Sequence, residues 1–185
     1  MKVKDIILRA LAFAGRDDVV TALEANAKLN DEQNEAVRTA VLCFNAVEDE
    51  LARHYLPLKT TEKFCSGNGE IEFSSFSKCP IKILSVKNSL GECNFKVLSQ
   101  KIVTRAGEVN IEYDFAPVPK GIGDDSVYTE SQASLFLIAA GTASEFCLIS
   151  GDAGAASVWE EKYRREIDLV QHEKYHAKIP PRRWV

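Results

Sequence analysis

The first part of the chain carries apolar residues at helical spacing. They predict one or two short helices between residues 3 and about 26, broken at Gly15. The positions in this apolar cluster are Ile7, Leu8, Leu11, Ala12 and Phe13. Helices this short cannot form a domain alone, so we expect them to cover a core built by the rest of the chain.

A second, longer helix is predicted to begin after Asn30. Asn30 can cap it, and Gln33 follows three residues later, as in a capping box. One apolar face then continues to Leu56-Pro57-Leu58, where proline ends the helix. The members of that face are Val37, Val41, Phe44, Val47, Leu51 and Tyr55.

The pattern changes between Thr60 and Phe115 to short segments rich in Phe, Ile and Val. Turn signals separate them at Gly67-Asn68-Gly69, Asn88-Ser-Leu-Gly91 and Arg105-Ala-Gly107. We predict strands near residues 61–65, 70–73, 81–87, 93–98, 101–104 and 108–115. The last alternates apolar and polar residues, as an antiparallel strand covered on one face does. Its apolar positions are Val109, Ile111, Tyr113 and Phe115.

Helical spacing returns after a loop rich in proline and glycine that ends at Gly123. Asp124, Asp125 or Ser126 is predicted near the start of this helix, and Ser150-Gly151 near its end. Its apolar positions are Leu135, Phe136, Ile138, Ala139, Ala143, Phe146 and Cys147. The small residues from Ala139 to Ser144 would let a neighbouring helix approach closely. We therefore predict that this helix lies at the centre of a helical bundle.

The last predicted helix runs from about residue 152 to 175. Its apolar stripe consists of Ala155, Trp159, Tyr163, Ile167 and Val170. The opposite face carries lysine, arginine and glutamate at spacings of three and four, which is typical of an exposed, salt-bridged surface. We expect the long helices to pack through Phe44, Leu51, Phe146 and Trp159.

This order of elements predicts an α+β fold. Helices from both ends of the chain form an α-helical bundle, and a small antiparallel β subdomain is inserted between them. The predicted bundle is discontinuous, comprising residues 1–58 and 124–175, and the β subdomain comprises residues 59–123. Residues 176–185 form an extended C-terminal arm.

The arm is the most informative segment for function. Pro180 and Pro181 favour extended geometry, so the arm cannot continue the helix. Tryptophan and arginine are enriched at the buried centres of protein interfaces. We therefore predict a docking segment, with a frayed terminus as the alternative. The predicted partner-binding residues are Lys178, Ile179, Pro180, Pro181, Arg182, Arg183, Trp184 and Val185.

Composition narrows the class of protein. The formal net charge is -4 and the pI is about 5.5, which argues against binding nucleic acid over the whole surface. Five cysteines with no short spacing favour free thiols in a reducing cytosol. The apolar stretch Ile6–Ala14 is too short for a membrane span or a secretion signal. We expect a soluble protein made in the cytoplasm.

Candidate catalytic chemistry is weak. His172, Glu173 and His176 match the H-E-x-x-H pattern of zinc hydrolases, which gives a metal-dependent hydrolase as the alternative function. A solvated helix end is the simpler interpretation, because no acidic or histidine ligand follows in the sequence. Gly121-Ile-Gly123 lacks the third glycine of a dinucleotide-binding turn. His54 could act as the base for a cysteine nucleophile, but exposure to solvent near the end of an amphipathic helix is the simpler interpretation. We predict no catalytic residue and no cofactor.

Local patterns over nearly the whole chain point to a family. A bundle helix leads into Tyr55-Leu-Pro-Leu58, and an alanine-rich helix leads to Glu145-Phe-Cys-Leu-Ile-Ser-Gly151. The last helix carries Trp159 and Tyr163 and precedes Pro180-Pro-Arg-Arg-Trp184. In these features the chain resembles the head-to-tail connector, or adaptor, proteins of bacteriophages and prophages, including the tail tubular protein A family.

This resemblance implies a structural virion protein without enzymatic activity. Such adaptors form a homo-oligomeric ring, usually of twelve copies, below the portal protein, and their C-terminal arm docks on that portal. The ring extends the DNA channel, through which DNA passes without sequence-specific binding, and it supports a tail protein of the nozzle or tail tube. The implied location is the neck or tail of the virion, assembled in the host bacterial cytoplasm, without a membrane partner.

Overall fold

In sequence order, helices come first and last and antiparallel strands come between them, so the fold is α+β. The structure is a computed structural model that describes residues 1–176, without the side chains of residues 173–176. The helices are α1 (Val3–Phe13), α2 (Asp17–Glu24), α3 (Asp31–Glu50), α4 (Leu135–Ile149) and α5 (Ala153–His176). The strands are β1 (Leu58–Ser66), β2 (Glu70–Glu72), β3 (Pro80–Asn88), β4 (Gly91–Glu92), β5 (Lys96–Val97), β6 (Lys101–Val103) and β7 (Gly107–Phe115).

The two short N-terminal helices are confirmed, with the break at Gly15. Gly15 has φ +71°, a left-handed conformation that glycine adopts without the steric penalty of a side chain. One face of α1 is buried completely or almost completely. Its buried residues are Val3, Ile6, Ile7, Ala10 and Leu11.

The predicted capping box opens α3. The amide of Gln33 donates to Asn30 Oδ1 at 2.8 Å, and the amide of Asn30 donates to Gln33 Oε1 at 3.1 Å. The helix ends in a single π-helical turn, Leu51–Tyr55, ahead of Pro57. Phe44, Val47 and Leu51 of the predicted face are buried, and Val37, Val41 and Tyr55 are half-buried. Glu48 of the same helix is buried as well, which the apolar pattern did not predict.

β7 is the centre of the main sheet, whose strand order is β1-β7-β3-β4. Its register with β1 runs from Leu58 opposite Phe115 to Ser66 opposite Gly107. The four apolar side chains of β7 are buried, and the predicted alternation is confirmed from Val109 to Tyr113; it ends at Asp114, which is buried as well. Phe76 packs edge-on against Tyr113, with 4.9 Å between ring centroids, and covers the same face. A second sheet has the order β2-β6-β5.

The single strand predicted over residues 93–98 is wrong. β4 pairs with β3 in the main sheet, whereas β5 pairs with β6 in the second sheet. The chain therefore changes sheets between Glu92 and Lys96, and of the predicted segment only Lys96–Val97 forms a strand. Apolar character alone did not reveal this change of partner.

The predicted helix start at Asp124, Asp125 or Ser126 is also wrong. These residues belong to a loop that continues to Ser134, whose hydroxyl caps α4 by accepting from the amide of Leu137 at 3.0 Å. Asp125 instead binds the ammonium of Lys2 at 2.8 Å. The capping residue types were therefore present, but their side chains bind Gly121, Lys2 and Glu48 instead of capping a helix.

α4 is buried on nearly every side. Its central residues, from Leu137 to Ser144, are all buried. It packs on α1 and α5, and a side chain added at Gly141 would meet Tyr163 of α5 and Val47 of α3. The predicted close approach of helices at this small-residue segment is confirmed.

The predicted last helix is confirmed, with its charged face exposed. Tyr163 and Ile167 of the apolar stripe are buried, whereas Trp159 is half-buried. On the opposite face the guanidinium of Arg164 binds Glu160 at 2.6 Å, one turn away. Exposed pairs of this kind stabilise a helix by only about 0.3–0.5 kcal/mol, so the packed stripe determines where α5 lies.

The chain divides into two compact units. One, the helical unit, contains Met1–Glu48 and the chain from Pro119 onward; the other, the sheet unit, contains Asp49–Val118.

All five cysteines are free, with Cys43 and Cys147 buried and Cys65 and Cys79 exposed. No helix within residues 1–176 is long and apolar enough to cross a membrane.

Candidate functional site

The predicted docking arm follows directly after α5, the longest helix in the structure. α5 extends to His176, and residues 177–185 lie outside the described part of the chain. The eight partner-binding residues from Lys178 to Val185 therefore remain a prediction from the sequence.

The H-E-x-x-H pattern lies in the last turns of α5. His172 is exposed, and the side chains of Glu173 and His176 lie outside the description. Among the described residues, no group of three histidine, cysteine, aspartate or glutamate side chains could hold a metal ion. The metal-site alternative therefore also stays a prediction.

The helical unit has an open depression of about 420 Å³ between α1, α2 and the beginning of α4. Five apolar and three charged residues line it. We call this the N-terminal depression; its residues are Asp5, Leu8, Arg9, Ala12, Phe13, Val20, Glu24 and Leu135.

An aromatic stack supports the wall of the N-terminal depression. Phe13 stacks on Trp159 with 4.1 Å between ring centroids, and Phe136 meets Phe13 edge-on at 5.7 Å. The indole N–H of Trp159 donates to the carbonyl oxygen of Phe13 at 3.0 Å, and the Lys162 ammonium lies 3.9 Å from the Trp159 ring centroid. These contacts hold Phe13 in place, so the wall exists before any partner arrives.

The depression was not predicted, because the apolar residues of α1 were all expected to form one cluster. Ile7 and Leu11 are buried as expected, but Leu8 and Phe13 are only half-buried, and Ala12 is exposed. The available signal was the width of the apolar arc. Five apolar residues within seven positions cover more of a helix surface than one core-facing stripe requires.

A protruding apolar pair lies at the other end of α4. Leu148 and Ile149 are 60% and 63% exposed, although both end a helix that is otherwise buried. Gly151, with φ +85°, turns the chain directly after them, and Asp152 caps α5 by accepting from the amide of Ala155 at 2.9 Å. We call Leu148 and Ile149 the α4 knob.

A buried carboxylate fixes the loop that leads to α4. Glu48, 1% exposed, accepts from the hydroxyl of Ser126 at 2.5 Å and from the amide of Val127 at 3.0 Å, both through Oε1. Its Oε2 has no hydrogen-bond partner among the described residues. Burial raises the pKa of Glu48, while the bonds from Ser126 and Val127 partly oppose that shift.

Asn45 holds the same loop one turn earlier in α3. Its amide nitrogen donates to the carbonyl oxygen of Lys120 at 3.0 Å, and its Oδ1 accepts from the amide of Lys120 at 2.6 Å. The amide of Ser126 donates to the carbonyl oxygen of Met1 at 2.9 Å. These contacts make Glu48 a structural anchor of the loop. Its carboxylate is buried and cannot reach a substrate in solution.

Glu48→Gln should gain stability relative to the wild type as pH rises from about 4 to 7. The raised pKa means that the folded protein holds the Glu48 proton more tightly than the unfolded chain does. Wild-type stability from this group is therefore present below the ordinary pKa of 4.5 and is lost as pH rises through the folded value. Glutamine does not titrate, so the difference in unfolding free energy between the two proteins should increase with pH.

Urea unfolding at pH 4, 5, 6 and 7 measures this difference, with the exposed Glu35→Gln change in the same helix as the control. A difference between Glu48→Gln and wild type that stays constant or falls with pH would contradict a raised pKa.

No protein-family model matches this chain, and no curated protein is significantly similar to it. Its function is therefore inferred from its residues and their geometry. The resemblance to head-to-tail connectors, carried by the local patterns described above, stays a prediction.

Proposed function

We propose that this protein is a head-to-tail connector of a bacteriophage or prophage, similar to the tail tubular protein A family. In this proposal the copies form a ring, usually of twelve, between the portal protein and a tail protein. The ring extends the DNA channel, and the C-terminal arm of each copy docks on the portal. The role is structural, and no residue is assigned to catalysis.

The observation that carries the proposal is the packing of helices from opposite ends of the sequence. α4 packs on α1, and Gly141 brings α4 against Val47 of α3 and Tyr163 of α5. The strands all fall between α3 and α4 in the sequence. This arrangement supports the finer fold interpretation, an α-helical bundle with an inserted antiparallel β subdomain and a C-terminal arm, which is the element order of the connector resemblance.

Surface chemistry is also compatible with an adaptor. The net charge of -4 suits a conduit through which DNA slides, because acidic walls do not hold phosphates. The arm carries Lys178, Arg182 and Arg183 and no acidic residue, so it has the opposite charge to the chain as a whole. Arginine can bind carboxylates on a partner through two hydrogen bonds, and many arms in one ring would act together.

Deleting the arm should abolish attachment without unfolding the protein. A chain ending at Tyr175 should melt within a few degrees of the full chain, because the deleted residues follow the packed stripe of α5. It should join portal-bearing heads at least tenfold less efficiently, since Trp184 and the arginines would be lost. A full-length Ile179→Ser, Trp184→Ser double variant, which keeps every charge, separates loss of apolar contacts from loss of length.

Attachment of the shortened chain at normal efficiency would contradict the docking role. Mass measurement of the protein in solution, alone and mixed with portal, gives the copy number directly. Zinc present at one ion per chain and lost in His172→Ala would favour the hydrolase alternative instead.

A further inference from the structure

We propose that the open edge of β1 binds an extended, acidic segment of another protein as an additional strand of the main sheet. β1 lies at the end of the strand order, and among the described strands of that sheet its nine residues pair with β7 alone. About half of the residues in an antiparallel edge strand direct their backbone N–H and C=O groups away from the sheet. Those groups can bind an added strand. This inference concerns the sheet unit and uses neither the ring nor the arm.

The other sheet edges in the described part of the chain are protected by their backbone. β3 begins with Pro80, and its register with β7 shifts twice. The remaining edge strands, β2, β4 and β5, have only two or three residues each. Proteins commonly protect exposed edges with prolines, bulges and short strands. β1 has none of these devices, because its nine pairs with β7 follow one another without a register shift.

Charge along β1 selects the partner. Lys59, Thr61 and Lys63 alternate along the strand and are exposed on one face of the sheet. A strand rises about 3.3 Å per residue, so the two lysines stand roughly 13 Å apart along the edge. Lys63 binds Glu108 at 2.7 Å, but both side chains are 62% exposed, and a pair of this kind contributes little stability. An added strand with two acidic residues four positions apart would place one beside each lysine.

The same charges disfavour two other occupants of the edge. Antiparallel pairing of β1 with β1 of a second copy over all nine residues would put Glu62 opposite its own counterpart. Pairing centred on Thr61 would put Lys59 opposite Lys63, and like charges directly opposite each other destabilise a sheet. Residues 177–185 of this chain contain three basic residues, two prolines and no acidic residue, so they also fit poorly beside the lysines.

The probe for this site is a synthetic peptide with blocked ends, Thr-Glu-Val-Thr-Val-Glu-Thr. Its glutamates stand four positions apart on one face, and its valines lie on the other. Calorimetric titration of the full-length protein in 0.15 M salt should give a Kd of about 0.1–1 mM, because a short free peptide loses conformational entropy on binding. A peptide with lysines in place of the glutamates should bind at least tenfold more weakly. No binding of the acidic probe at about 5 mM would overturn the proposal.

Hydrogen exchange shows whether the probe adds a strand. At about 5 mM probe, the outward amides within Leu58–Ser66 should exchange at least threefold more slowly, because they become hydrogen-bonded. Exchange within Pro80–Asn88, on the other side of β7, should be unchanged. Binding of the probe without added protection in β1 would overturn strand addition.

A charge exchange in the protein locates the contact. The full-length Lys59→Glu, Lys63→Glu double variant should bind the acidic probe at least tenfold more weakly and should bind the lysine peptide instead, which also shows that it is folded. The matched control is Lys82→Glu, Lys87→Glu. These lysines are exposed on the same face, but they lie on β3, two strands or roughly 10 Å from β1.

The control variant should bind the acidic probe within about threefold of wild type, because salt screens exposed charges over about 8 Å at this ionic strength. Equal loss of binding in the two double variants would overturn a site at the edge of β1.

Discussion

Gly141→Ala should destabilise the protein by about 2 kcal/mol. A Cβ at this position would lie 2.8 and 2.9 Å from two ring carbons of Tyr163 and 3.1 Å from Val47 Cγ1. Both neighbours are almost fully buried, so neither can move aside without disturbing its own packing. Overpacking of this kind costs about 1–3 kcal/mol, whereas the better helix propensity of alanine returns at most about 1 kcal/mol.

Gly154→Ala is the control for Gly141→Ala. Gly154 also lies in a helix, but a Cβ there would meet only Asp152 Oδ1, at 3.5 Å. This variant should be unchanged or more stable by up to about 1 kcal/mol, because only the propensity term applies. Urea unfolding followed by circular dichroism measures both variants. Equal stability of Gly141→Ala and wild type would show that Tyr163 and Val47 can move away from the added methyl group without lowering the free energy of unfolding.

Trp159→Ala should lower the free energy of unfolding by about 3 kcal/mol. This is toward the lower end of the range for large-to-small changes, because Trp159 is only half-buried. Its ring lies parallel to that of Phe13, at an interplanar angle of 11°, and its N–H satisfies the Phe13 carbonyl oxygen after the last turn of α1. Alanine would remove the stacking, the hydrogen bond and the support of the N-terminal depression together.

Two further variants divide this loss. Trp159→Phe keeps an aromatic ring for Phe13 but lacks the N–H, so it should lose about 1 kcal/mol. Val158→Ala, at the neighbouring position that is 51% exposed, should change stability by less than about 0.5 kcal/mol. Thermal unfolding gives the order of the three variants. A melting temperature of Trp159→Ala equal to that of wild type would contradict a contribution of the stack to the stability of the folded chain.

Features encoded by neighbouring residues were predictable from the sequence. The Asn30–Gln33 capping box, the break at Gly15 and the alternation along β7 all depend on contacts or conformations within a few residues. In each case the local chemistry allows one favourable arrangement. The small residues around Gly141 also reported correctly that a helix would approach there.

Features that depend on distant partners were not predictable. Asp125 and Ser126 have good capping chemistry, yet they bind Lys2 and Glu48, which lie far away in the sequence. Glu48 lies four residues after Phe44 and three before Leu51, on the buried face of α3, and the hydrogen bonds from the distant loop are what satisfy a carboxylate there. The α4 knob and the N-terminal depression likewise depend on which apolar residues the core leaves uncovered, which is a property of packing and not of spacing.

The central position of β7 has a consequence for synthesis on the ribosome. β1 and β3 both pair with β7, which follows them in the chain. Leu58 of β1 therefore cannot pair until Phe115 of β7 has been made. At about 5–20 residues per second, β1 spends roughly 3–11 s in the nascent chain before its partner is made. α1 likewise waits for α4, on which it packs. Neither core can therefore close before β7 or α4 has been made, and until then the apolar faces of the earlier segments have no partner from this chain to pack on.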